Sequence, residues 1–223
     1  MVNSYTWHDN KKFKIRFSYR LAQIFLTAVF KFFFGLKVTG RTNIPVVGPI
    51  ILASNHQSWF DPLMIGSSCP REIHYAAKRE LFDNIILGPF VRHFNSIPVK
   101  RSGFDRKALV KLKEVLEGGG GMIIFPEGTR FKDGNLHTPK LGVGMLALHS
   151  QAQIVPCYIS GSARLERQIL GRGLKIRFGK PFICDDLKLD GLNNKDSYQA
   201  IANEVMHKIA ELGGIKTSEI ACS

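Results

Sequence analysis

Three short clusters in this sequence combine residues that could do chemistry, and each directly follows an apolar run. The first is Asn55-His56-Gln57-Ser58-Trp59-Phe60-Asp61, after Ile50-Ile51-Leu52-Ala53. A histidine and an aspartate five positions apart can meet across a turn or the first turn of a helix. The carboxylate would then fix the imidazole tautomer and stabilise the imidazolium formed when the other ring nitrogen takes a proton. The same spacing also fits an aspartate that caps a helix beside a packed histidine. The second cluster, Glu127-Gly128-Thr129-Arg130, follows Met122-Ile123-Ile124-Phe125 and the strand-stopping Pro126. Gly128 lets the backbone approach a ligand, and the Thr129 hydroxyl and Arg130 guanidinium suit a phosphate; an ordinary turn with a surface arginine would look the same. The third is the basic pair Lys100-Arg101, after Ile97 and Val99. The coincidence of three polar clusters at three strand ends carries more than any one of them.

Something must hold those ends together. Runs rich in Ile and Val, bounded by Gly, Pro or polar turns, predict strands over 36–39, 50–54, 73–77, 96–99, 122–125, 154–160 and 174–178. Ala108, Leu109, Leu112, Val115 and Leu116 share one helical face, closed by Gly118 to Gly121. Further helices are expected at 140–150 and 195–212, where Tyr198, Ile201, Ala202, Val205, Ile209 and Leu212 form a stripe. Strands alternating with helices predict one α/β domain over 37–223, its central sheet mixed but largely parallel and flanked by helices. Polar residues just after buried strands then lie at the carboxyl edge, where open α/β sheets place their sites. The glycines of Lys140-Leu141-Gly142-Val143-Gly144 either line that site or let a helix pack closely.

Residues 1–36 have a different character. Between Lys11 and Arg41 lie eight basic residues and no acidic one, around the apolar stretch Leu21 to Phe30 and Phe32-Phe33-Phe34. The unbroken apolar run is ten residues, against about 20 for a bilayer crossing. An amphipathic helix that dips phenylalanines into lipid and sets its basic groups on phosphates is expected. The whole chain carries 31 Lys and Arg against 18 Asp and Glu, a net charge of +13, which implies a polyanionic partner. An anionic membrane surface fits better than nucleic acid, because the aromatics gather in an apolar run instead of alternating with Lys and Arg. No signal-peptide pattern opens the sequence. Cys69, Cys157, Cys184 and Cys222 are too dispersed for a zinc site or disulfide framework, and the other histidines fit no ligand spacing.

Taken together the motifs resemble those of the PlsC-like glycerolipid acyltransferases, the family of 1-acylglycerol-3-phosphate acyltransferases. Asn55 to Asp61 is similar to that family's NHxxxxD motif and Phe125 to Arg130 to its FPEGTR motif. Ile97-Pro98-Val99-Lys100-Arg101 resembles the second motif, with Pro98 where phenylalanine is more familiar, and Val155-Pro156-Cys157-Tyr158-Ile159 the fourth. The resemblance covers roughly 38–181. It implies direct attack by an acceptor hydroxyl on an acyl thioester, with His56 as general base and Asp61 orienting it. It also implies acceptor contacts from Arg101, Glu127, Gly128, Thr129 and Arg130, and oxyanion donors near Lys100. The implied donor is acyl-CoA or acyl carrier protein, and the acceptor is lysophosphatidic acid. Related enzymes instead acylate glycerol-3-phosphate, other lysophospholipids or lyso-ornithine lipid. No metal or cofactor is implied, and the expected location is the cytoplasmic face of the membrane, as a peripheral or monotopic protein.

Overall fold

The structure is a computed structural model that describes residues 15–99, 106–165 and 173–220. Its centre is β2 (Ile50–Ser54), all five of whose residues are buried. An apolar strand buried on both faces belongs inside a parallel sheet covered by helices on each side. β2 pairs in parallel with β5 (Gly121–Ile124) and with β6 (Gln153–Ser160). Beyond β5 lie β3 (His74–Lys78) and the edge strand β4 (Ser96–Val99), also parallel. Beyond β6 the direction reverses. β7 (Lys175–Phe178) runs antiparallel to β6, and β1 (Lys37–Thr39) runs parallel to β7. The seven strands form one sheet in the order β1-β7-β6-β2-β5-β3-β4. Each expected strand is present, its ends shifted by at most one residue.

Two apolar layers cover the sheet. On one face α1 (Phe17–Phe34) and α2 (Asp61–Ser68) enclose a core that includes Tyr19, Phe30, Met64, Ile65, Leu52 and Val155. On the other, α5 (Arg106–Glu117), α6 (Gly142–Ser150) and α7 (Asn194–Gly213) pack around Ile51, Met122, Leu146, Val205 and Ile209. Between β3 and β4 lie the short helices α3 (Glu80–Asp83) and α4 (Leu87–His93). Gly144 of α6 serves packing: a Cβ on it would sit 2.0 Å from the Tyr198 carbonyl oxygen, so α6 and α7 meet there backbone to backbone, whereas Gly142 has open space beside it.

The amino-terminal segment is a continuous helix that Lys31 does not interrupt; Gly35, at φ 60°, ends it by donating its N–H to the Lys31 carbonyl. α1 is long and apolar enough to cross a membrane by length and composition. One of its faces nonetheless belongs to the domain. The Gln23 amide donates to the carbonyls of Gly66, Cys69 and Arg71, and the Thr27 hydroxyl donates to Ser67. The opposite stripe, Phe17, Leu21, Ile24, Phe25 and Phe32, is open to solvent.

Candidate active site

Because β2, β3, β4 and β5 are parallel, the loops that follow them emerge at one edge of the sheet. The chain leaves β2 for α2 on one face and leaves β5 for α6 on the other. A crevice therefore opens between the ends of β2 and β5, at the kind of switch point where open α/β sheets bind ligands. His56 to Asp61 enter it from β2 and Glu127 to Arg130 from β5, so the two motifs face each other.

His56 Nδ1 lies 2.9 Å from Asp61 Oδ2. A carboxylate only accepts, so Nδ1 carries the proton and Nε2 presents its lone pair. Asp61 is fully buried, and the same oxygen accepts the Gln57 and Ser58 backbone N–H groups at 2.7 Å each. Three donors on one oxygen fix it as an acceptor beside the ring. Asp61 is the first residue of α2, yet its carboxylate bonds backward into the loop, so it holds His56 and does not cap the helix. The imidazole stacks on Phe125, ring centroids 3.8 Å apart and planes 15° apart.

The backbone of the loop is held just as firmly. Asn55 donates its side-chain amide to the Ile159 carbonyl and accepts the Ile159 N–H, which extends the β2–β6 ladder by one side chain. Glu127 Oε2 accepts the His56 N–H at 2.9 Å, while Oε1 accepts the His137 N–H at 3.1 Å. The His56 carbonyl in turn accepts the N–H of Phe131. His137 stacks on Phe131 at 3.5 Å between centroids, and its Nε2 lies 2.9 Å from Asp133 Oδ2. The Lys140 N–H closes the loop onto the Pro126 carbonyl. Burial pushes the Glu127 carboxyl up to about 7, against the pull of its two amide donors, and the Asp133 and Asp61 carboxylates add to the rise.

Arg130 sits over the Trp59 ring, its guanidinium carbon 3.3 Å from the centroid, and the Lys78 ammonium stands 4.9 Å from the same ring. An exposed indole thus gathers two cations at the mouth of the crevice. Thr129 is exposed beside them. Gly128 has φ +70°, a conformation that favours glycine, and the space a Cβ would take is filled by the Lys140 stem. Lys100 and Arg101 lie outside the described residues. Cys157 stands near Asp61 but is wholly buried, which pushes its thiol far above the usual range and leaves it no nucleophile.

Sequence reasoning missed several members of this arrangement. Asn55 was no more than part of a motif, although an asparagine directly after a buried strand is a signal for ladder extension. His137 carries no signal in the sequence, being one of the histidines that fit no ligand spacing, and the Trp59–Arg130 stack joins positions remote in sequence.

A His–Asp pair at this switch point, its aspartate fully buried and its histidine partly open, suits general-base chemistry on a hydroxyl or water. The acyltransferase family model matches residues 35–160, more than half of the chain, and the chain belongs to that family of enzymes. It is 28% identical over 180 residues to the 1-acyl-sn-glycerol-3-phosphate acyltransferase of Bacillus subtilis, covering 80% of this chain and 88% of that protein. With the Streptococcus pneumoniae enzyme of the same name it shares 27% identity over 164 residues, covering 73% of this chain and 60% of the relative. The fold matches the crystal structure of the 1-acyl-sn-glycerophosphate acyltransferase PlsC from Thermotoga maritima. The TM-score is 0.68 at 24% identity, over 89% of this chain and 80% of that one.

Proposed function

We propose that this acyltransferase moves a fatty acyl group from acyl-CoA or acyl carrier protein to the sn-2 hydroxyl of 1-acylglycerol-3-phosphate, giving phosphatidic acid. The observation that carries the reading is the His56–Asp61 contact, with an aspartate fully buried and held by three donors. The acceptor hydroxyl gives its proton to His56 Nε2 as its oxygen attacks the thioester carbonyl. The tetrahedral oxyanion then collapses, the C–S bond breaks, and the imidazolium returns the proton to the leaving thiolate. General-base assistance of this kind contributes about 10²–10⁴-fold. Arg130, seated over Trp59, meets the acceptor phosphate together with Thr129, and Arg101 is assigned the same task; donors near Lys100 are assigned to the oxyanion. Glu127 is better read as the brace of the His56 loop than as an acceptor contact, since both its oxygens already hold backbone N–H groups.

Both substrates carry long chains, and each buried methylene contributes about 0.8 kcal/mol. The enzyme therefore works where the lipid is. α1 supports an interfacial placement: one stripe is pinned to α2 by Gln23 and Thr27, while Phe17, Leu21, Ile24, Phe25 and Phe32 face outward to meet lipid. Soluble donors place the crevice on the cytoplasmic side.

His56→Ala should abolish transfer of a labelled acyl chain to lysophosphatidic acid while the melting temperature holds. Near-normal turnover in that variant refutes the mechanism. A panel of lyso-acceptors crossed with both donors tests the substrate assignment, and a clear preference for another acceptor overturns it.

A further inference from the structure

The turn between α3 and α4 presents Ile85 and Ile86 at 90% and 78% exposure, with Leu87 and Phe90 also exposed. This is no frayed loop. The Asn84 side chain accepts the N–H groups of Ile86 and Leu87, and its carbonyl accepts that of Gly88. Gly88 lets α4 press against the Phe82 carbonyl, which a Cβ would approach to 2.6 Å. A turn fastened by three hydrogen bonds to Asn84 thus holds two bare isoleucines in water.

We propose that this turn is a second lipid contact, which with α1 lays one face of the sheet on the membrane. The proposal rests on the reading above that the enzyme works at a lipid surface. The handedness of the crossovers places the turn: β2 to β3 and β3 to β4 step in the same direction across the sheet. Right-handed connections then put α3 and α4 on the same face as α2 and α1. Phe94, just after α4, enters the core beside Tyr19, with ring centroids 5.6 Å apart. Arg16 fastens the two elements, donating to the His93 carbonyl, the Asn95 side chain and Glu72. The turn and the open stripe of α1 therefore move as one body.

Charge names the occupant. Arg20 and Lys31 stand exposed on α1, which carries no acidic residue. Around the turn Arg79 and Arg92 balance Glu80 and Asp83, so the helix supplies the attraction to anionic headgroups and the turn supplies the apolar dip. Elsewhere among the described residues large exposed apolar side chains are isolated, at Val110 and Leu192, or form the single pair Val46–Val47, apart from Trp59 and Phe60 at the crevice. Apolar outcrops concentrated on one face of a basic protein fit a lipid surface.

The test uses the full chain in a Cys222→Ser background, the other three cysteines being buried. A nitroxide is placed at Ile85→Cys or, separately, at Phe25→Cys. Vesicles of phosphatidylcholine and phosphatidylglycerol are added, and collision with oxygen is compared with collision with a water-soluble nickel chelate. Both labels are expected to favour oxygen. A water-like label at 85 beside a lipid-like one at 25 overturns the second contact and leaves the membrane reading standing; water-like signals at both overturn both. Immobilisation at 85 that needs no lipid and grows with protein concentration assigns the turn to a second copy and overturns the proposal. In parallel, Ile85→Ser with Ile86→Ser should lower vesicle partitioning by at least about tenfold at unchanged melting temperature. Unchanged partitioning counts against the turn.

Discussion

At the scale of single residues, the site is built from side chains that serve the backbone as much as the substrate. Glu127 makes the point. A glutamate that touched the acceptor would, when changed to glutamine, raise the acceptor KM. A glutamate whose oxygens hold the His56 and His137 N–H groups should instead lower kcat, because the amide has one accepting oxygen in place of two. We expect Glu127→Gln to cost at least about tenfold in kcat with little change in KM. A pH signature accompanies it. The folded carboxyl titrates near 7 and the ordinary value is 4.5, so between these values the folded state binds the additional proton. Its contribution to stability is present below about 4.5 and is lost as pH rises through about 7. Denaturant titrations across that window should show a falling component in the parent that the glutamine variant lacks.

At the scale of elements, Gln23 decides what α1 is. A glutamine inside a membrane-crossing helix would need a partner in lipid; here its amide reaches three carbonyls beneath α2. Gln23→Ala leaves buried carbonyls short of a donor and should cost about 1–3 kcal/mol in urea unfolding, with the overall fold kept. A change near zero would show that the helix does not need its dock. The elements also show what a sequence can disclose. The strands were legible because Ile and Val runs bounded by turn residues have few other readings, and α7 because its apolar stripe repeats over twenty residues. α2 was not legible as a helix. Wedged between α1 and the sheet, it buries six of its eight residues, Gly66, Ser67 and Ser68 among them, so no polar face marks the period. α3 and α4 are too short for a period to register. The site followed the same logic: His56, Asp61 and the Glu127 to Arg130 cluster stood out as polar groups at strand ends. The Asn55–Ile159 pairing and the Trp59–Arg130 stack depend on which strands become neighbours, and local sequence does not carry that.

For the molecule as a whole, the +13 charge and the apolar face act over different ranges. On the proposed reading the charge draws the protein toward anionic lipid and is screened within about 8 Å at physiological salt, whereas apolar insertion is not screened. Binding to anionic vesicles should therefore weaken as salt rises and then level off above zero, and binding to purely zwitterionic vesicles should be weaker and nearly flat. Loss of all binding in high salt would mean that the apolar face does not insert. The reversal at β7 has a consequence for the order of assembly. β1 pairs only with β7, more than 130 residues later in the chain, while β2, β3, β4 and β5 can meet much earlier during synthesis. α1 is thus the first described element to leave the ribosome, and the strand that joins it to the sheet is among the last to find its partner. Until β7 is made, α1 rests on residues 66–71 while β1 beside it is unpaired, so on the proposed reading the helix can meet the bilayer before its carboxyl end is fixed to the sheet.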